Sequence, residues 1–210
     1  MRITWLGHSS VMMESGGKTV FFDPYVMPKK KVKADYVFVT HSHFDHCANV
    51  DKILKPGSKV FATKDCAGRV PPGFTEVYPG FGSKDGFLEV RCVQAYNLGK
   101  EFHPKGFGVG FLISLEGKKV YVAGDTDFIP EMKGLKGVSV AFLPVGGVYT
   151  MGLDEAGEAA DAFKPDILIP YHYNYLENLK VDDVERLKEL VKSSKVVVLK
   201  PGETLLHKCK

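Results

Sequence analysis

The stretch VTHSHFDHCAN, residues 39–49, places His41, His43, Asp45 and His46 within six positions, directly after an apolar run, in a chain with only seven histidines among 210 residues. In an extended loop, side chains two positions apart share a side. His41, His43 and Asp45 can therefore converge, while His46, one step on, turns toward a neighbouring point. Two adjacent ligand sets imply two adjacent metal ions. Imidazole and carboxylate donors suit zinc, iron or manganese, and the motif lacks the thiolates that closed structural zinc sites prefer, so an open, catalytic site is expected.

Further candidate ligands stand where strands should end. Asp125 in AGDTD follows an apolar strand, His172 in IPYHY follows another, and His103 in EFHPKG lies between two more. Each alone has a plain structural reading as a turn former or surface group. Their recurrence at strand ends, where loops carry function, is what joins them.

The elements that must hold these residues alternate between strand and helix. Ile3 to Leu6, Val11 to Glu14, Thr19 to Phe22, Tyr36 to Val39, Lys59 to Ala62, Thr75 to Tyr78 and Phe87 to Ala95 read as strands. Val109 to Leu115 and Lys118 to Ala123 form a hairpin about Glu116-Gly117. A short helix is expected near Ala48 to Leu54. Ala156, Ala159, Ala160 and Phe163 mark one helical face, followed by a buried strand at Ile167 to Ile169. Val181, Val184, Leu187 and Val191 predict a second helical face, with closing strands at Lys195 to Leu199 and Thr204 to Leu206.

Composition frames the reading. Hydrophobic residues make up 44% and charged residues 25%, values of a globular chain rather than a disordered or membrane one. The length fits one domain over 1–210, and no linker divides it. No signal peptide and no membrane-length apolar run is visible, so a cytoplasmic location is expected. Cys47, Cys66, Cys92 and Cys209 have irregular spacings that suit reduced, structural thiols. A net charge of +3 argues neither for nucleic acid nor for an anionic membrane, and the basic run PKKKVK, residues 28–33, reads as a solvated loop.

The HxHxDH motif, the later histidines and the GDT turn together resemble the metallo-β-lactamase superfamily of dinuclear hydrolases. WLGHSS, HFDH, AGDTDFIPEM, LPVGGVYTM and IPYHY are similar to its branch related to L-ascorbate-6-phosphate lactonase, over roughly Ile3 to Leu206. The resemblance implies a four-layer αβ/βα sandwich of two mixed β-sheets flanked by helices. It implies that His41, His43 and His103 hold one metal, that Asp45, His46 and His172 hold the other, and that Asp125 bridges them. Asn97, at the end of its strand, occupies the place of the family's ligand and is the alternative to His103. Imidazole, the better donor, favours His103. Asp45, Asp125 and His8 are the candidate catalytic groups; Asp23, beside the ligands, is the candidate holder of an imidazole, and Tyr149 a candidate pocket residue.

Two divalent ions can lower the pKa of a shared water to about 7 and so generate hydroxide at neutral pH. Against Asp45, Asp125 and that hydroxide they leave a site of about one net positive charge, which favours a small anionic substrate. The leading expectation is a hydrolase of an ester, lactone or phosphate ester, with zinc as the first choice of metal and manganese or iron as alternatives. An RNA-processing nuclease or phosphodiesterase uses the same ligands, and a non-catalytic metal- or ligand-binding protein is the third reading. Elemental analysis after loading with zinc or manganese is expected to find two ions per chain, with activity lost in chelator; a count of one or fewer removes the two-metal reading.

Overall fold

The computed structural model describes residues 1–176 and 179–207, which form two compact units, Met1–Tyr78 with Leu199–Lys210 and Pro79–Val198. The first unit is built on a seven-stranded sheet of β1 (Arg2–Gly7), β2 (Ser10–Ser15), β3 (Lys18–Phe22), β4 (Tyr36–Val39), β5 (Lys59–Thr63), β6 (Thr75–Val77) and β14 (Thr204–Leu206). Its order is β14-β1-β2-β3-β4-β5-β6. The pairs from β14 to β3 are antiparallel, and those from β3 to β6 are parallel.

The second unit repeats this layout. Its strands are β7 (Gly82–Lys84), β8 (Glu89–Ala95), β9 (Gly108–Leu115), β10 (Lys118–Val122), β11 (Val140–Pro144), β12 (Ile167–Tyr171) and β13 (Lys195–Val196). Their order is β13-β12-β11-β10-β9-β8-β7, antiparallel from β7 to β10 and parallel from β10 to β13. Two mixed sheets with flanking helices are thus the architecture, as the sequence led one to expect. The parallel strands read as unbroken apolar runs because both of their faces are covered: every residue of β4 and β11 is buried.

The helices are shorter than their sequence signals. In place of one helix over Ala48 to Leu54 there are two single turns, α1 (Phe44–Cys47) and α2 (Val50–Ile53). Asn49 interrupts them because its backbone N–H goes to the Pro24 carbonyl and its side-chain amide to that of Tyr25. α3 (Leu153–Phe163) buries Ala156, Ala159, Ala160 and Phe163, the face expected of it. Gly157 lies on that helix where a β carbon would stand 3.2 Å from Leu190, so its absence lets the next helix approach.

That next helix, α4 (Leu187–Leu190), is a single turn after a 3₁₀ turn at Val184–Arg186, not the longer helix that Val181 to Val191 suggested. Asp161 accepts hydrogen bonds from the backbone N–H groups of Lys192 and Ser193, which draws the chain out of helical register. β13 is correspondingly two residues long, and β7 and β11 are strands that the sequence pattern did not single out. His207, near the end of the described residues, is half-buried, with its backbone N–H on the Met1 carbonyl.

Cys47, Cys66 and Cys92 are free and buried, and burial pushes the Cys66 and Cys92 thiols up to about 12. They are inert structural thiols, as expected; Cys209 lies outside the described residues. Among the described residues no helix is long and apolar enough to cross a membrane.

Gly110, in β9, has no room for a side chain: a β carbon there would lie 2.9 Å from Cε2 of the buried Tyr121 and 3.0 Å from the Ala123 carbonyl oxygen. Gly110→Ala is therefore expected to cost about 1–3 kcal/mol through overpacking, read as a lower denaturant midpoint with an unchanged slope.

Candidate metal centre

In the first unit the candidate residues follow the C-terminal ends of β1, β3 and β4. Asp23 organises them. Its side chain is fully buried; Oδ1 accepts the Thr40 backbone N–H at 2.8 Å, and Oδ2 accepts the Thr40 hydroxyl at 2.9 Å and His46 Nδ1 at 2.9 Å. Burial pushes the Asp23 carboxyl above the ordinary carboxylate range, while His46 and Thr40 pull it back.

These bonds settle ring protons. A carboxylate only accepts, so the His46 proton sits on Nδ1 and Nε2 keeps its lone pair. The Thr40 hydroxyl has spent its hydrogen on Asp23, so it accepts from His41 Nδ1 at 2.9 Å, and His41 Nε2 likewise keeps its lone pair. Thr40 was not singled out from the sequence; its place between β4 and His41 in VTHSH is the only hint of it.

His41 Nε2 lies 3.0 Å from His43 Nδ1, and His46 Nε2 lies 3.7 Å from Asp45 Oδ2. Nitrogen and oxygen atoms sharing a tetrahedral first-row ion at about 2.0–2.1 Å stand about 3.3 Å apart, so these spacings fit ligand edges. His43 and Asp45 are partly exposed, which leaves an approach from solvent. His8 is buried and holds Asp45 Oδ2 at 2.7 Å through Nε2, while the Ser9 hydroxyl donates to the Asp45 backbone carbonyl. Ser42 N–H on Asp65 Oδ2, at 2.9 Å, anchors the loop from beyond the motif.

In the second unit, His103 and His172 converge on Asp125. His103 Nε2 is 3.3 Å from Asp125 Oδ2, and His172 Nε2 is 3.2 Å from Asp125 Oδ1. One imidazole thus faces each carboxylate oxygen, again at the separation of neighbouring ligands. Gly146 makes room beside His172, because a β carbon there would lie 2.8 Å from the His172 carbonyl oxygen.

Asn97 and His103 are brought together as well. The chain between them folds back on itself, with Asn97 N–H on the His103 carbonyl at 2.8 Å. Asn97 Oδ1 accepts the His103 backbone N–H at 3.1 Å and lies 2.9 Å from His103 Nδ1. The extra length of that loop therefore delivers an imidazole, and the amide at the strand end holds it. Tyr149 is half-buried, and its ring packs edge-on against Phe102 at 4.5 Å.

Backbone strain marks some of the same positions. His8, Asp23 and His172 adopt φ of 48°, 43° and 60°. That left-handed region costs a non-glycine residue about 1–3 kcal/mol and concentrates at functional sites.

Residues 2–172 match the model of the Beta-lactamase superfamily domain. Over 98% of this chain and 99% of its own length, a UPF0173 metal-dependent hydrolase of Pyrococcus abyssi is 33% identical. The chain belongs to this family of metal-dependent hydrolases. A crystal structure from Parabacteroides distasonis is similar with a TM-score of 0.85 at 30% identity, covering 96% of this chain and 93% of that one. A metallo hydrolase from Ignicoccus hospitalis is similar with a TM-score of 0.81 at 29% identity, covering 100% and 99%.

His103→Ala is expected to lower metal occupancy and nearly abolish turnover of the hydrolase. Asn97→Ala, which removes only the support of that ring, should cost about 10–100-fold. Metal content and rate measured on both variants check this; the reverse ranking would make Asn97 the ligand.

Proposed function

We propose that the chain, acting as a single domain, is a two-metal hydrolase of an ester, lactone or phosphate ester of a small anionic molecule. His41, His43 and His103 would hold one ion, and Asp45, His46 and His172 the other, with Asp125 shared. The observation that carries this reading is Asp125, whose two oxygens each face a different imidazole, at 3.3 and 3.2 Å. A carboxylate so placed is built to serve two ions. Zinc fits the imidazole-rich donor set best, with manganese or iron as alternatives.

Bound there, two divalent ions would supply a hydroxide nucleophile near pH 7 and neutralise charge that develops on the substrate. The chain's own residues hold the donors in place. Asp23 and Thr40 keep the Nε2 atoms of His41 and His46 free of protons, and His8 Nε2, 2.7 Å from Asp45 Oδ2, donates to Asp45 and orients it. The similarity of WLGHSS, AGDTDFIPEM and IPYHY to the lactonase branch supports lactones and sugar phosphates as the first substrates to try.

One observation favours the alternative, an RNA-processing phosphodiesterase. Lys29, Lys30, Lys31, Lys33 and Lys52 line a cleft of about 490 Å³ together with Met27, Pro28 and Val32, with no carboxylate in its wall. Lys33 Nζ donates to the Lys52 carbonyl, which fastens one side of it. Screening metal-loaded protein against lactones, phosphomonoesters, phosphodiesters and short RNAs separates the readings, since turnover of RNA alone would select the second.

Asp125→Ala is expected to abolish turnover and to weaken binding of both ions rather than one, read by metal titration. The wild-type rate should rise with pH through one ionisation near 7. Label from ¹⁸O-water should enter product in the first turnover; first-cycle oxygen from the protein would instead indicate a covalent carboxyl intermediate.

A further inference from the structure

We propose that Asp127, assisted by Lys100, is a positioning residue that dictates which ring nitrogen of His103 carries the proton. The inference rests on the reading of His103 Nε2 as a metal ligand. It begins at the Asn97 amide, whose two ends differ by only one atom and whose orientation must follow from its partners.

Those partners leave no choice. Asn97 Nδ2 lies 3.1 Å from Asp127 Oδ1 and 2.9 Å from the Tyr149 carbonyl oxygen. A carboxylate and a carbonyl can only accept, so the amide nitrogen must face them. The amide oxygen then faces His103, where the backbone N–H, an obligate donor, meets it at 3.1 Å. The same oxygen stands 2.9 Å from His103 Nδ1, which must therefore bear hydrogen. Nε2, 3.3 Å from Asp125 Oδ2, is left with the lone pair that a metal requires.

Asp127 can play this part because its charge is provided for. It is 2% exposed, and a carboxylate so buried is costly unless it is paired and hydrogen-bonded. Lys100 Nζ donates to Oδ1 at 2.5 Å and the Leu98 backbone N–H to Oδ2 at 2.8 Å. Lys100 Nζ also reaches the Thr150 carbonyl at 2.8 Å, tying the chain that follows Tyr149 to the same carboxylate. The Asp127 N–H is fixed on the Tyr96 carbonyl at 3.0 Å, just beyond β8. A relay of Lys100, Asp127, Asn97 and His103 results, with Asp127 its one pure acceptor of side-chain hydrogen.

Asp127→Asn keeps the shape and removes that property. One of the carboxylate's positions becomes an NH₂, which meets either the Leu98 N–H or the amide of Asn97 and the ammonium of Lys100. Two donors then face each other, and the orientation of Asn97 is left to the Tyr149 carbonyl and the His103 N–H alone, with the Asp127 side no longer favouring it.

The test uses the full chain, freed of metal by chelator, with ¹⁵N-labelled histidine, the His103 signals being identified by their loss in His103→Ala. Wild-type His103 should be protonated at Nδ1, and Asp127→Asn should populate the Nε2-protonated form and weaken zinc binding at one site by about 10–100-fold in competition with a chromogenic chelator. A wild-type ring protonated at Nε2 overturns the proposal whether or not the variant folds, and so does a variant whose tautomer and zinc affinity match the wild type. A tautomer change with unaltered zinc affinity supports the relay and overturns the ligand role of His103. Lys100→Met, at a partly exposed position, should weaken zinc binding less than Asp127→Asn; no change there overturns the assistance by Lys100.

Discussion

A carboxylate shut away from water must be surrounded by donors, and that requirement at Asp23 organises the first unit. The groups that meet it are the Thr40 backbone N–H, the Thr40 hydroxyl and His46 Nδ1. Each donation has a further effect: the first fixes the end of β4, the second leaves the hydroxyl oxygen to receive the His41 proton, and the third leaves the buried His46 Nε2 with its lone pair. The left-handed backbone at Asp23 is accompanied by these bonds, which help to offset its strain. The second unit solves the corresponding problem with Asp127, whose charge is met by a lysine and an amide instead of a hydroxyl and an imidazole.

Much of this was legible in the residues. Tyr36–Val39 and Thr204–Leu206 form strands at their expected bounds because compact apolar or β-branched runs were flanked by turn formers. His41 and His43, two apart, do meet at 3.0 Å, but Asp45 and His46 lie on the helical turn α1 and not in an extended loop, so two-residue alternation does not carry on to Asp45. Other features were settled by tertiary bonds that no local pattern records. Val140–Pro144 carries no alternation because both faces are buried, and the apolar spacing of Val181 to Val191 was satisfied by a 3₁₀ turn and one helical turn once Asp161 captured the following N–H groups. Asp127 was in view within AGDTD but had no signal of its own, since its partners Asn97, Leu98 and Lys100 come from a different loop, about 30 positions earlier in the chain.

The repeated layout, an antiparallel set passing into a parallel set, also explains where chemistry gathers. Within each sheet the parallel strands end at one edge, so in the first unit the loop after β4 releases its side chains there, joined by that after β3, and in the second unit the loop after β12 does so, joined by that after β10, β3 and β10 standing at the switch from antiparallel to parallel pairing. Asp23, His41, Asp125 and His172 occupy those four departures. Ligands of open α/β sheets collect at such edges for the same reason. The sequence carries no repeat at a fixed period, because the shared property is strand direction and not residue identity.

The pairing of β1 with β14 joins residues separated by nearly the whole chain, from Arg2 on Leu206 to Thr4 on Thr204, whose hydroxyls meet at 2.8 Å across a separation of 200 positions. Contacts so remote in sequence form slowly, since the entropy of closing the loop must be met before any bond rewards it. Until then β1 is an open sheet edge bearing Ile3, Trp5 and Leu6, all buried in the finished fold. An unpaired apolar edge is a template for a stray strand of another molecule. The strand that leads into His8 is thus the one most exposed to mispairing during folding, and recovery of soluble protein should be more sensitive to changes in residues 204–206 than their modest burial would indicate.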